Sequence, residues 1–389
     1  MSGYVAARIG WIDEFKGFVL LLVCLFHVEQ SFSCANMGML HLSALRMSAF
    51  FFISGMLFST RRFDSFKSYF IHKTKVLLIP YILLSLLFLA LDPVLYNFDL
   101  FPKAPRMTVM NIHPVITGTW DYIYWNLAKI FVAGKSSIGS GPLWFVFTLY
   151  SVCLLFYGMQ KVANNPMASR VAIIFTATTS LAGGWLLYTN HIRLPLGIER
   201  DLTVLFFFAC GWLCREPIKK ISGALHSNYQ GSALRRSSGA LLLTVTIAII
   251  SFILYAIVEN PDPYFSIMNN DLGKSLVGFI ASSIFGIAGL IGTFILADKL
   301  PNVAPIRIVK GILRNISRNA LVILAVHWYI LLVMRLLFRA EINKPGIAYL
   351  SIIIVAAGVI AAIPLFRCKL YKLLGKQPAS VRDALNIQE

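Results

Sequence analysis

Residues 13–32, DEFKGFVLLLVCLFHVEQSF, decide the fold class. The stretch is apolar over the roughly 20 residues a helix needs to cross a bilayer. It nevertheless carries Lys16 at its start and His27 eleven residues on. Composition extends this reading to the whole chain. Of 389 residues, 58% are hydrophobic and 13% charged, and the mean hydropathy is +0.73. These values exclude an ordinary soluble domain and predict an all-α, polytopic membrane helix bundle. Ten segments qualify as transmembrane helices, near 12–31, 42–59, 76–97, 142–160, 171–189, 201–214, 239–258, 273–297, 317–338 and 347–366. The sixth is short and is expected to extend outward through LGIERDL.

A formal net charge of +18 would suggest nucleic acid in a soluble chain. Here the cations sort by side. The loops on the side of the termini hold 23 Lys and Arg, the opposite loops hold nine, and Lys16, Arg46 and Arg335 lie within or at the edge of spans. The positive-inside rule then places both termini in the cytoplasm. The expectation is an integral protein of a bacterial cytoplasmic membrane, with membrane lipid and not nucleic acid as its surroundings. Residues 1–367 read as one transmembrane domain, 98–141 as an external loop and 368–389 as a cytoplasmic tail. Within the external loop, WDYIYWNLAKIF (120–131) has the aromatic spacing of a helix at the headgroups, a substrate platform being the other reading. The six cysteines show no pattern of external pairs, and Cys210 and Cys214 have no further ligands nearby in sequence, so no disulfide and no metal are expected.

On an α-helix, positions eleven apart differ by only about 20° and lie about 16 Å apart along the axis. Lys16 and His27 therefore share one face, with Asp13, Gly17, Leu20, Cys24 and Ser31 on or near it. Ionisable groups inside a span usually face a bundle interior or a wet cavity, so the stripe reads as the wall of a passage. Taken singly, Lys16 also fits snorkelling to headgroups, and His27 fits a core histidine bonded to a neighbouring helix. Arg46, near the outer end of the second span, should reach the depth of His27. Glu29 points about 200° away from His27, as an interface carboxylate or a partner for Arg46 through a bent helix end. The loop STRRFDSFKSYFIHKTK (59–75) carries Arg61, Arg62, Lys67, Lys73 and Lys75. These cations suit anionic lipid, and also a polyphosphate ligand arriving from the cytosol.

Five stretches resemble the integral-membrane acyltransferase family 3. IDEFKGFVLLLVCLFH is similar to that family's first helix, where an Asp precedes a basic residue, ten intervening residues and a His: Asp13, Lys16 and His27 here. Lys16 stands where Arg is commoner. RMSAFFFISGMLF (46–58) resembles its FFF-x-SG segment, and FIHKTKVLLIPY (70–81) its basic run into a Pro-Tyr pair. GPLWFVFTLY (141–150) and LAVHWYILLV (324–333) resemble its Trp-containing fourth helix and late His-containing helix.

The resemblance implies transfer of an acetyl or other short acyl group from acetyl-CoA, or another acyl-CoA, to a hydroxyl of a cell-surface or lipid-linked glycan. The CoA phosphates would rest near Lys16, Lys73 and Lys75, with Arg61 or Arg62 as further contacts. His27 would then act as general base or accept the acyl group itself. Arg46 is the candidate to hold the oxyanion or the acceptor, a headgroup contact being its other reading. Trp144 fits a sugar-stacking surface or core packing, and His327 fits a site residue or a satisfied interhelical histidine. Ser54 and Gly55 fit close helix packing. A transporter or flippase for a lipid-linked glycan is the alternative from another class, and a lipid-facing scaffold is a third.

Overall fold

The computed structural model describes residues 9–32, 34–98, 108–160, 166–226, 232–259, 264–301, 303–341 and 343–375. The α-helices are α1 (Gly10–Ser31), α2 (Ser43–Met56), α3 (Phe66–Lys73), α4 (Ile79–Asn97), α5 (Thr119–Phe131), α6 (Trp144–Gln160), α7 (Pro166–Thr189), α8 (Ile198–His226), α9 (Ser232–Glu259), α10 (Leu276–Ala297), α11 (Ala304–Arg318), α12 (Ala320–Leu337) and α13 (Pro345–Cys368). Among the described residues, eight helical segments are long and apolar enough to cross a membrane. One of them is the 32-residue rod Phe66–Asn97, in which a π turn at Thr74–Leu78 joins α3 to α4. Two more helices, α1 with 22 residues and α8 with 29, have the length but carry ionisable residues among their apolar ones. Among the described residues, these eight and the two of matching length lie close to the ten segments read from hydropathy.

Three departures from that reading have physical causes. The basic stretch expected as a loop before the third span is helical from Phe66, because Ser65 caps it by accepting from the Ser68 N–H at 3.2 Å. The sixth span extends only to Ile198 at its start and runs on to His226, past Pro217. Residues 304–318, expected as a connecting loop, form α11, with Pro305 in its first turn and a junction at Asn319. Asn319 donates its side-chain amide to the Asn315 carbonyl at 2.9 Å. Ile308, Val309 and Ile312 on α11 are exposed, and Arg307, Arg314 and Arg318 stand on a different face, since positions advance by about 100°. The periodicity that marks α11 is amphipathic, so a hydropathy average over the segment conceals it.

Close helix approach is bought with glycine. A Cβ on Gly55 of α2 would lie 1.9 Å from the Phe208 carbonyl oxygen of α8, and one on Gly211 of α8 would lie 1.9 Å from the Phe52 oxygen of α2. The two backbones touch through reciprocal small residues, the packing mode of helices that lack a hydrophobic drive to associate in lipid. Gly17 of α1 meets the Leu313 backbone of α11 in the same way, with a Cβ–oxygen distance of 2.0 Å. One turn earlier Glu14, almost fully buried, pairs with Arg314, its Oε1 lying 2.6 Å from Nη2 and 2.9 Å from Nε. Ser54 donates to the Phe50 carbonyl at 2.8 Å, which satisfies its hydroxyl within its own helix. The bundle has one end carrying the basic stretch 57–75 and α11. The other end carries the segments 32–42, 132–143, 190–197 and 264–275.

Candidate functional site

At that second end lies a cavity of about 560 Å³, within the range of small-ligand sites. From α1 it is lined by Leu20, Val23, Phe26, His27 and Gln30, and from α2 by Ser43, Arg46, Met47 and Phe50. Lys129 of α5, the segment 135–138, Trp144 of α6, the segment 264–269 and Trp328 of α12 close it. Leu20, Val23, His27 and Gln30 follow the i, i+3, i+4 spacing of one helix face. Ten residues separate the first from the last, so the cavity runs about 15 Å along α1, half the hydrocarbon thickness.

The imidazole of His27 is held beside Gln30. Its Nδ1 lies 3.1 Å from Oε1 of Gln30. A proton on Nδ1 makes this contact a hydrogen bond, since an amide oxygen only accepts, and leaves Nε2 with a lone pair. The edge of the ring packs against Trp328 at a centroid distance of 5.0 Å, and His327 stands 5.3 Å away. Arg46 is buried, with its guanidinium 3.9 Å from the centroid of the Phe26 ring, and it donates to the Met39 carbonyl. Phe26 and the backbone around Met39 thus hold Arg46 at the wall that His27 also lines.

Buried polar side chains hold the wall opposite α1. The Tyr81 hydroxyl lies 2.8 Å from the Lys135 carbonyl and 3.0 Å from that of Ile130. Oδ2 of Asp92 accepts from the Gly139 N–H at 3.1 Å and from the Tyr122 hydroxyl at 3.2 Å. Asn126 accepts from the Ile138 N–H at 3.1 Å, and Trp328 donates from Nε1 to the Ile138 carbonyl at 2.8 Å. The fully buried Arg200 donates to the Gly134 carbonyl at 3.0 Å and lies 5.3 Å over the Trp144 ring. Three helices, α4, α8 and α12, together with α5 therefore pin residues 130–139 through backbone groups that would otherwise be unpaired away from water. The aromatic run 120–131 serves two environments. Trp120 (81% exposed) and Tyr124 (63%) face outward, as expected at headgroups, while Tyr122, Asn126 and Ile130 are buried and Lys129 reaches the cavity.

The structure brings His27, Arg46 and Trp144 together around the cavity. His327 is fully buried just behind it, its Nδ1 donating to the Ile323 carbonyl at 2.6 Å. Glu29 turns to the other side of α1, where Oε2 accepts from the N–H groups of Met37 and Met39, both at 3.0 Å. It steadies the same connection whose carbonyl receives Arg46, and thus acts on that arginine through backbone. Lys16 is on the cavity stripe but outside the lining, four residues or about 6 Å below Leu20. Asp13 is buried in the first turn of α1, where the helix dipole favours an anion. Arg61, Arg62 and Lys75 are exposed at the opposite end of the bundle, and Lys73 lies with its Nζ 5.5 Å from the centroid of the Tyr69 ring. Lys75 sits in the π turn beside the end of the described chain, where a Cβ on Gly375 (φ +64°) would meet its carbonyl at 2.1 Å. The rest of the expected tail, from residue 376, lies outside the described residues.

Sequence reasoning missed Gln30, Lys129, Lys135 and Trp328. Gln30 carried a signal, standing one turn beyond His27 on the same face. The others are brought to His27 by long-range packing.

A family model described as an acyltransferase domain matches residues 9–366, nearly the whole chain. No significant match is found among the curated proteins or among the solved structures. With this coverage, and with the membrane bundle and the motifs of its first helices in place, the chain belongs to acyltransferase family 3 and is a membrane acyltransferase.

Proposed function

We propose that the protein moves an acetyl or other short acyl group from cytosolic acyl-CoA to a hydroxyl of a cell-surface or lipid-linked glycan. In this reading it sits in a bacterial cytoplasmic membrane with both termini in the cytoplasm, the side on which 23 of the loop cations fall. The observation that carries the reading is the orientation of His27. Its Nδ1 lies against Gln30, and its ring lines a cavity that Arg46 also lines; with the proton on Nδ1, Nε2 serves as the base.

The CoA phosphates meet the basic end, at Lys73, Lys75, Arg61 and Arg62, and Lys16 guides the pantetheine arm onto the α1 stripe. The thioester then reaches the cavity beyond Leu20. The acceptor hydroxyl enters from the opposite end, where Trp144 and Trp328 offer apolar faces. Nε2 of His27 removes the hydroxyl proton as the oxygen bonds to the thioester carbon. Arg46 stabilises the oxyanion that forms. Collapse of that intermediate breaks the carbon–sulfur bond, and the departing thiolate takes the proton back from His27. Products are the O-acyl glycan and CoA, with no other reactant consumed.

The test is transfer by purified protein in vesicles, using radiolabelled acetyl-CoA and candidate lipid-linked sugars. His27→Ala is expected to lower kcat by about 10²–10⁴-fold, the usual contribution of a general base. Transfer at the wild-type rate by that variant overturns the assignment. Movement of glycan across the vesicle without consumption of acetyl-CoA would favour a transporter instead.

A further inference from the structure

The cavity is cationic on the side away from the basic end of the bundle. Lys129 and Lys135 line it on the wall opposite α1, and Arg46 lines it from α2. Its described lining contains no Asp or Glu. Among the described residues neither lysine has a carboxylate within ion-pair distance. Lys135 donates to Oδ1 of Asn269 at 3.2 Å, a neutral partner that orients the ammonium without neutralising it. The carboxylate whose field reaches Lys129 is that of Asp92. Asp92 is fully buried on α4, outside the lining, with Oδ2 committed to Tyr122 and Gly139.

Holding amines in a half-enclosed, largely apolar site is costly without an ion-paired counter-charge, and the fields of Asp92 at Lys129 and Glu199 at Lys135 offset that cost only in part. Burial accordingly pushes both lysines down to about 8. The cost is built in by structure. Lys135 follows directly on the segment that Tyr81 and Arg200 anchor, and Lys129 is on the buried side of α5 between Asn126 and Ile130. Surface lysines serving solubility would need neither the anchoring nor the enclosure.

We infer that the acceptor is an anionic sugar, whose carboxylate or phosphate is held by Lys129 and Lys135 while its hydroxyl is presented to His27, an assignment that rests on the acyl-transfer reading for the ligand's role. The phosphates of the acyl donor are met at the other end of the bundle, beyond Leu20, so they do not account for these two lysines. A carboxylate or phosphate between two ammonium groups makes charge-assisted hydrogen bonds, and the ring stacks against the neighbouring tryptophans.

The experiment is calorimetric titration of the intact protein in phosphatidylcholine nanodiscs with three sugars that share one ring and differ at C6: glucose, glucuronate and glucose 6-phosphate. At least one anionic sugar is expected to bind about tenfold more tightly than glucose, and the tighter of the two identifies the group recognised. Lys129→Gln combined with Lys135→Gln should abolish the preference for the anionic sugar over glucose, whereas Lys129→Arg with Lys135→Arg should retain it. Equal binding of the three sugars by the wild type overturns the inference, and that comparison stands even where a variant fails to fold. A preference that survives the double glutamine change overturns it, as does displacement of the anionic sugar by CoA. If preference and lysine dependence hold but no sugar accepts an acetyl group, the anion site stands and the transfer reading falls. If glucose is acetylated as well as its acidic counterparts and binds as tightly, transfer stands and the anionic acceptor falls.

Discussion

In the proposed mechanism His27 serves as a base while keeping a proton on Nδ1. With that proton directed to Gln30, whose Oε1 lies 3.1 Å from Nδ1, Gln30 would be a positioning residue. Gln30→Leu should lower kcat by about ten- to a hundredfold while leaving the KM for acyl-CoA within about twofold, and it should alter the pH profile of kcat because either nitrogen can then carry the proton. A change in KM alone, with an unchanged profile, would show that Gln30 only shapes the cavity. Lys16→Met is expected to do the reverse, raising the KM for acyl-CoA several-fold with kcat nearly constant, since Lys16 stands four residues, about 6 Å along the helix, below Leu20 and outside the cavity lining. Lys129 and Lys135 add a pH dependence of known sign. Burial lowers both to about 8. Asp92 raises Lys129, while Arg200, Lys129 and Arg193 lower Lys135 and Glu199 raises it. If the two lysines hold an anion, it is their charged form that binds it, so the affinity for glucuronate is expected to be full below that value and to fall as pH rises through it, with glucose binding flat over the same range. Titrations across pH 6.5–9.5 check this directly.

At the scale of elements, function depends on two contacts that lie outside the site. Residues 130–139 have no regular structure beyond the end of α5, and they are fixed by hydrogen bonds from Tyr81, Asp92, Asn126, Arg200 and Trp328. Tyr81→Phe leaves the Lys135 carbonyl short of a donor and should cost about 1–3 kcal/mol. Hydrogen exchange should show the loss, with faster exchange confined to 130–139. The Pro-Tyr pair at 80–81 thus gains a physical meaning, since the tyrosine ties the third rod to the wall that carries both cavity lysines. The α2–α8 contact works differently. Because Gly55 and Gly211 each face a carbonyl oxygen at 1.9 Å from a hypothetical Cβ, no side-chain movement can relieve a substitution. Gly211→Leu should therefore separate the helices and lower the melting temperature more than the same change at Gly183, where the nearest atom is 3.6 Å away.

Across the whole molecule, the proposed mechanism handles donor and acceptor at opposite ends, with α1 as the strut between them. Its basic end is held by α11 through Glu14–Arg314 and Gly17, and its far end carries His27 and Gln30. Arg314→Ala leaves a buried carboxylate without its cation and should cost about 2 kcal/mol, the partial exposure of Arg314 moderating the loss. Thermal unfolding in detergent would register this. Activity measured well below the transition should change little if α11 only braces α1.

Much of this architecture was legible in the residues themselves. Hydropathy fixed the bundle and nearly all its rods, because lipid forces each crossing segment to be apolar and helical whatever it packs against. The eleven-residue spacing of Lys16 and His27, and the depth of Arg46, followed from helix geometry alone. Four things did not follow: the amphipathic α11, the contact of His27 Nδ1 with Gln30, the diversion of Glu29 to the backbone at 37–39, and the arrival of Lys129, Lys135 and Trp328 beside His27. Each depends on contacts between residues far apart in the chain, and no local propensity encodes which helix faces meet. The sequence by itself determined a membrane helix bundle with a charged stripe on its first rod. Only tertiary packing decided where that stripe opens into a cavity, and with which cations.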